Sequence, residues 1–281
     1  MFLLIACLIG ISGCTDSGDS GPEVPEPDSP EPSPDGPTVP KASGSSSTEI
    51  LNETVNITSE GQTYPAYTAA PAAEGNYSAV VLIHSFNGFE PGYQDIVDRM
   101  AADGFVVVAP QWQTYSRSPP DSDVDALVRN SVSYLESRDD VDPEKLGLTG
   151  FCAGGRYTML FLPQIKEFES GVAWYGFPYA GRTETQPDQP ASLIDQLDVP
   201  MLIIHGTRDQ ASNISDIYRY AGELDAADKY FELKVYQGEP HGFMIEDGEL
   251  SESFVAQDAY KEMIDFFDRT LNSGTMENSS Q

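Results

Sequence analysis

An α/β fold, a mostly parallel sheet with helices on both faces, is what this sequence predicts, and two features of its patterning carry the prediction. The first is a set of uniformly apolar runs: AVVLIH at 79–84, FVVVAP at 105–110, GVAWYG at 171–176 and PMLIIHG at 200–206. Strands with no polar alternation belong to sheets buried on both faces. The second is what lies between them, where apolar residues recur every three or four positions, as in Val124, Leu127, Val128, Val132 and Leu135. That is the period of a helix with one buried face, and strands alternating with such helices build a parallel sheet.

In chain order, two weakly marked strands near 55–57 and 64–68 precede the strong strand at 79–84. A helix around 93–102 leads to the strand at 105–110, and the periodic segment 123–137 forms the next helix. The alternating Leu146, Leu148 and Phe151 mark a short strand whose following helix occupies 156–161. After the strand at 171–176 come a short helix at 191–197, the strand at 200–206 and a helix at 214–226. A strand at 231–237 and a last helix at 253–271 complete the domain, which spans 49–272.

Sheets of this type gather reactive groups at the carboxyl ends of their strands, and three candidates fall there. Cys152 sits between the strand and helix of LGLTGFCAGGRYTMLF, flanked by Gly150, Gly154 and Gly155. GxCxG is the cysteine version of the nucleophile elbow, whose small neighbours permit a tight strand-to-helix turn. A helix N-terminus beneath the sulfur favours thiolate. The five-residue pattern alone fits a buried cysteine acting as a small hydrophobe equally well. Asp209 follows PMLIIHG, and His241 follows FELKVYQ. Nucleophile, acid and histidine thus occur in the order of an α/β-hydrolase, with His241 as the base and Asp209 as the group that fixes its tautomer. Taken singly, an aspartate after a strand is also a common helix cap, and a loop histidine is commonly mere surface. His84 and His205 also end strands, but no pair has metal-ligand spacing. They read as packing groups beneath the loops, and no metal is expected.

The segments VLIHSFNGFEPGYQDIVDRMAADGFVVVAP, GFCAGGR, AWYG, PMLIIHGTRD and EPHGF together resemble the dienelactone hydrolase family, over residues 60–270. The resemblance implies a Cys152–Asp209–His241 triad, no cofactor, and an oxyanion hole made by the backbone N–H groups of Phe86 and Ala153. Such a donor can be worth about 3 kcal/mol in the transition state. In one respect the chain departs from the family. Members that open dienelactones carry a glutamate directly after the strand, and here Ser85 occupies that position, so the resemblance implies hydrolysis without implying a dienelactone. Glu90 lies close by in sequence and is not assigned the glutamate's role.

The rest of the chain speaks to location. Residues 2–11 are apolar, too short to span a bilayer and the length of a signal peptide's central region. The following ISGC resembles a lipobox ending at Cys14, although no Lys or Arg precedes the apolar run. Residues 1–14 therefore read as a signal segment with Cys14 as the lipidation site. Residues 15–48 hold eight prolines and seven acidic residues against the single Lys41. They read as a disordered acidic tether, expected to reach up to about 100 Å. Residues 273–281 read as a disordered tail. The expected location is the cell surface, lipid-anchored, with secretion the alternative; five Asn-x-Ser/Thr sequons agree with export. Removing Cys7 and lipidating Cys14 leaves Cys152 with no disulfide partner.

Forty-five acidic residues against 15 basic ones give a formal charge of −30, which repels nucleic acid and anionic lipid. Membrane contact is expected only through the anchor. The even spread of charge resembles the surface of a halophile's protein. The expected function is cleavage of a small-molecule ester, lactone or thioester. The alternatives are an acyl-thioesterase or peptidase on the same fold, or a tethered binding protein that has lost activity. The charge also makes a prediction: self-repulsion grows as screening fades from a Debye length of about 3 Å at 1 M salt, so the domain loses stability on dilution. Unfolding midpoints compared at molar and millimolar salt check this, and equal midpoints refute it.

Overall fold

The computed structural model describes residues 48–273. Cys14, the segments 1–14 and 15–47, and all but the first residue of the expected tail lie outside the described residues. Eight strands form one sheet in the order β1-β2-β4-β3-β5-β6-β7-β8. They are β1 (Ile50–Ser59), β2 (Gln62–Pro71), β3 (Tyr77–Ile83), β4 (Val106–Pro110), β5 (Val141–Phe151), β6 (Phe168–Trp174), β7 (Met201–Gly206) and β8 (Phe231–Tyr236). β2 is antiparallel to both β1 and β4. Every other pairing in this sheet is parallel. This is the predicted α/β architecture.

Side chains alternate across the strands as the pleat requires. In β3, Val81 and Ile83 enter one core and Val80 and Leu82 the other. Helices α2 (Asp121–Glu136), α3 (Ala153–Phe161) and α4 (Ile214–Ala226) cover the first face. Helices α1 (Pro91–Ala102) and α5 (Phe254–Phe267) cover the second. In α2 the buried residues Val124, Leu127, Val128, Val132 and Leu135 are those the periodicity singles out.

Several boundaries differ from the sequence expectation. The two opening strands are ten residues each, joined by a tight turn in which Glu60 and Gly61 both have positive φ. In β1 only Ile57 and Ser59 are fully buried, so most of this edge strand carries no apolar signal. The segment expected as a helix at 191–197 is a 3-10 helix, Pro190–Gln196. The last α-helix stops at Phe267 and passes into a π turn, Asp268–Asn272. A two-stranded ribbon of β9 (Ile245–Glu246) and β10 (Glu249–Leu250) was not predicted; two residues per strand are too few to show a period.

One buried ion pair ties together the elements around the elbow. Arg156, in α3, meets Asp121 at the start of α2 through two parallel 2.8 Å bonds, with both residues buried. The same guanidinium donates to the carbonyls of Ala180 and Asp188, so the β6–β7 loop is held by its main chain. Asp121→Ala leaves that charge buried without its partner, which costs about 3–5 kcal/mol. Denaturant unfolding of the variant should show a loss of that size; a loss under about 1 kcal/mol would mean that the fork contributes little.

Candidate active site

The strand ends of β3, β5, β6, β7 and β8 deliver the site. Cys152, at the end of β5, has φ 57° and ψ −112°, a left-handed backbone that costs a non-glycine residue about 1–3 kcal/mol. Its neighbours hold it there. The Cys152 N–H donates to Trp174 O at 3.1 Å, and its carbonyl accepts the first helical bond, from Arg156 N. A Cβ on Gly154 would stand 2.0 Å from Ile83 O, and one on Gly155 2.3 Å from Trp174 O. A Cβ on Gly150 would stand 2.2 Å from Gly154 O. The glycines of the motif therefore serve close backbone approach. Cys152 itself is partly exposed, where a substrate can reach it.

Asp209, beyond the end of β7, is buried. Its Oδ1 accepts from the N–H groups of Ala211 and Ser212, at 2.9 and 2.7 Å. Its Oδ2 lies 2.7 Å from His241 Nδ1. Burial pushes the carboxyl up, but the His241 bond and the Ser212 N–H outweigh it, and the group rests below the usual carboxylate range. The Ser212 hydroxyl donates to Gly176 O at 2.6 Å, tying the acid's turn to the end of β6.

His241 stands after β8. Because Nδ1 faces a carboxylate it carries the proton, and Nε2 is the basic nitrogen. Nε2 is buried and makes no hydrogen bond within the described residues. Burial alone would lower this imidazole; the bond with Asp209 and the adjacent Cys152 side chain reverse the sign and hold it at about 9. The ring packs edge-on against Tyr175 at 5.0 Å and against Phe177 at 5.5 Å.

Neither the Phe86 nor the Ala153 backbone N–H donates to a protein acceptor among the described residues. Gln113 holds the Phe86 loop by donating to the carbonyls of Phe86 and Arg117, and the Arg117 guanidinium covers the Phe86 ring. Ser85 is buried and accepts from Asn87 N at 3.1 Å. Burial pushes the Glu90 carboxyl up, against the pull of the Ser85 hydroxyl beside it.

Phe89, Trp112, Tyr115, Phe177 and Tyr179 all follow strand ends in sequence, and of these Phe177 lies against the His241 ring. Trp112 stacks on His84 and donates its indole N–H to His84 O. Tyr115 packs on Tyr64, Tyr179 bonds Glu223, and Phe89 lies against Tyr67, His84 and Tyr93. Sequence reasoning passed over Tyr175. It is buried, its hydroxyl has no partner among the described residues, and its φ of 36° is left-handed. No signal in the sequence marks a tyrosine for that conformation. Among the described residues no three His, Cys, Asp or Glu side chains are placed to hold a metal. No helix among them is long and apolar enough to cross a membrane.

Residues 112–271, more than half of the chain, match the model of the dienelactone hydrolase family, and residues 41–165 match that of chlorophyllase. A Yersinia pestis protein named "Putative carboxymethylenebutenolidase" is 29% identical over 228 residues, covering 75% of this chain and 85% of its own. The crystal structure of a "Putative Dienelactone Hydrolase" from Klebsiella pneumoniae superposes with a TM-score of 0.73 at 25% identity, covering 79% of this chain and 99% of that one. Thermogutta terrifontis esterase 2, at 18% identity and a TM-score of 0.64, covers 78% of this chain and 94% of its own and shares the fold.

Beneath the site, His84 gives a pH dependence. Burial holds it at about 4, below the ordinary imidazole value of about 6.5. Its contribution is therefore fully present above pH 6.5 and is lost as pH falls from 6.5 through 4, by roughly 3 kcal/mol. In urea unfolding at pH 7.5 and 4.5, His84→Phe, which keeps the stacking on Trp112, should lose less stability on acidification than the wild type. Equal losses would refute this account of His84.

Proposed function

The chain belongs to the dienelactone hydrolase family and is a hydrolase of the α/β-hydrolase fold, and from that premise we propose that it cleaves a carboxylic ester, lactone or thioester through an acyl-cysteine intermediate. The observation that carries the reading is the 2.7 Å contact between Asp209 Oδ2 and His241 Nδ1, which leaves Nε2 as the base beside a cysteine on a strained elbow.

The steps follow from the atoms. The proton shared between Cys152 and His241 Nε2 rests on the nitrogen as the sulfur attacks the substrate carbonyl carbon. The carbonyl oxygen gains the electron pair and is received by the N–H groups of Phe86 and Ala153. Asp209 stabilises that imidazolium. When the tetrahedral intermediate collapses, the bond to the leaving oxygen or sulfur breaks, and Nε2 returns the proton to it. A water molecule, deprotonated by the same nitrogen, then attacks the acyl-cysteine and releases the acid, and Cys152 recovers its proton. In a lactone the leaving group stays attached, so the product is a single hydroxy acid. We propose further that residues 1–48 anchor this domain outside the cell through Cys14.

The test is a panel of aryl esters, lactones and acyl thioesters assayed at high salt, with mass spectrometry of rapidly quenched reactions. The wild type should gain the mass of the acyl group on Cys152. Cys152→Ala should lose turnover by about 10⁴-fold or more while remaining folded, as removal of a triad nucleophile does elsewhere. Retained turnover in that variant would refute the mechanism.

A further inference from the structure

Two imidazoles stand beside Asp209 Oδ2, and one of them bonds it. His241 Nδ1 lies 2.7 Å away, and on another side His205 Nε2 lies 3.4 Å away. His205 sits in β7 and is fully buried. Its Nε2 is also 2.9 Å from the carbonyl oxygen of Ser212. A carbonyl can only accept, so Nε2 carries the proton and Nδ1, buried with no partner among the described residues, carries the lone pair. Burial pushes this imidazole down from its ordinary value, so the ring works as a neutral N–H donor.

That N–H bonds the last carbonyl of the acid's turn, at Ser212, and stands 3.4 Å from the carboxylate itself, near it without a hydrogen bond. The remaining contacts close the same turn from the other side: Ala211 and Ser212 donate to Oδ1, and the Ser212 hydroxyl donates to Gly176 O. The other ionisable groups that bear on Asp209 are His241, Cys152 beyond it, and Tyr175, whose hydroxyl burial keeps protonated. Arg208, its neighbour in the chain, is exposed and makes no ion pair among the described residues.

We propose that His205 is a positioning residue for the triad acid: its Nε2–H fixes the Asp209–Ser212 turn and keeps Oδ2 aimed at His241 Nδ1. It touches neither the substrate nor the thiol and acts through the turn that carries the carboxylate. The proposal rests on the Cys152–Asp209–His241 reading and adds to it a group lying behind the acid.

With three histidines in the chain, imidazole proton NMR can follow His241 directly. In a Cys152→Ala background, His205→Leu should lower the His241 titration midpoint by about one pH unit or more. With Cys152 present, the same substitution should lower kcat by about tenfold or more and leave KM within about twofold. His205→Gln places an amide N–H near the position of Nε2 and should restore both. A folded His205→Leu protein with an unchanged midpoint and kcat overturns the proposal. So does a glutamine variant as impaired as the leucine one, because packing alone then explains the loss. Should the leucine variant not fold, His205→Asn, whose shorter amide stops short of the Ser212 carbonyl, takes its place with the same expectations. Failure of the triad reading looks different: Cys152→Ala would itself retain turnover, whatever residue stands at 205.

Discussion

Three backbones meet beneath the nucleophile with no room for a side chain between them, and the arrangement of the site depends on that contact. Gly154 lies against the last carbonyl of β3 and Gly155 against that of β6, while Gly150 supports Gly154 from within the elbow. The ends of three adjacent strands are thereby locked to one helix N-terminus. The Phe86 loop leaves from the first of those ends and Tyr175 from the third, so the groups around the sulfur inherit the register of the sheet. Two residues in the left-handed region, Cys152 and Tyr175, sit on this contact. Their strain is sustained by main-chain bonds to neighbouring strands, from Cys152 N to Trp174 O and from Tyr175 N to Ile204 O. A packed sheet can hold a conformation that a loop by itself would relax.

The three histidines show how environment divides one side chain among different tasks. All three approach backbone or side-chain oxygen in the same layer of the fold, yet burial wins at His84 and His205 and loses at His241. The difference lies in the oxygens. His84 meets a neutral carbonyl. His205 meets a carbonyl at 2.9 Å with the carboxylate farther off. His241 meets the carboxylate at 2.7 Å, and an ionised acceptor at that distance offsets desolvation where a carbonyl dipole does not. The carboxylate can itself stay ionised in the interior because two N–H groups cover its other oxygen.

Much of this was legible in the sequence, because the relevant signals are local. Apolar runs marked four of the eight strands of the main sheet, the alternation of Leu146, Leu148 and Phe151 marked a fifth, and the helical period of α2 picked out the residues it buries. Cys152, Asp209 and His241 could each be placed at a strand end without knowing any contact. Where the signal failed, the reason is physical. β1 is an edge strand whose outer residues face water, so it lacks the apolar run that announces a central strand. β9 and β10 are too short for periodicity, and their pairing is set by turns. His205 could be read as a packing group but not as a neighbour of Asp209, because their contact depends on how the chain turns after β7. Tyr175 looked like one more apolar strand residue, and its backbone conformation becomes visible only when β6 and β7 are placed side by side.

The guanidinium fork of Arg156 has an evolutionary corollary. It holds the β6–β7 loop by the carbonyls of Ala180 and Asp188, atoms that every amino acid supplies, and it makes no hydrogen bond to the side chains of the six residues from Arg182 to Pro187. Gly181 is the exception within the span, since a Cβ there would meet the Asp188 carbonyl. The loop is thus anchored at its feet and free in most of its lettering. Apart from Gln186, whose side chain bears on Tyr157 of that helix, descendants of this chain can rewrite the stretch without disturbing the helix that carries the nucleophile, so long as the arginine and its aspartate stay fixed.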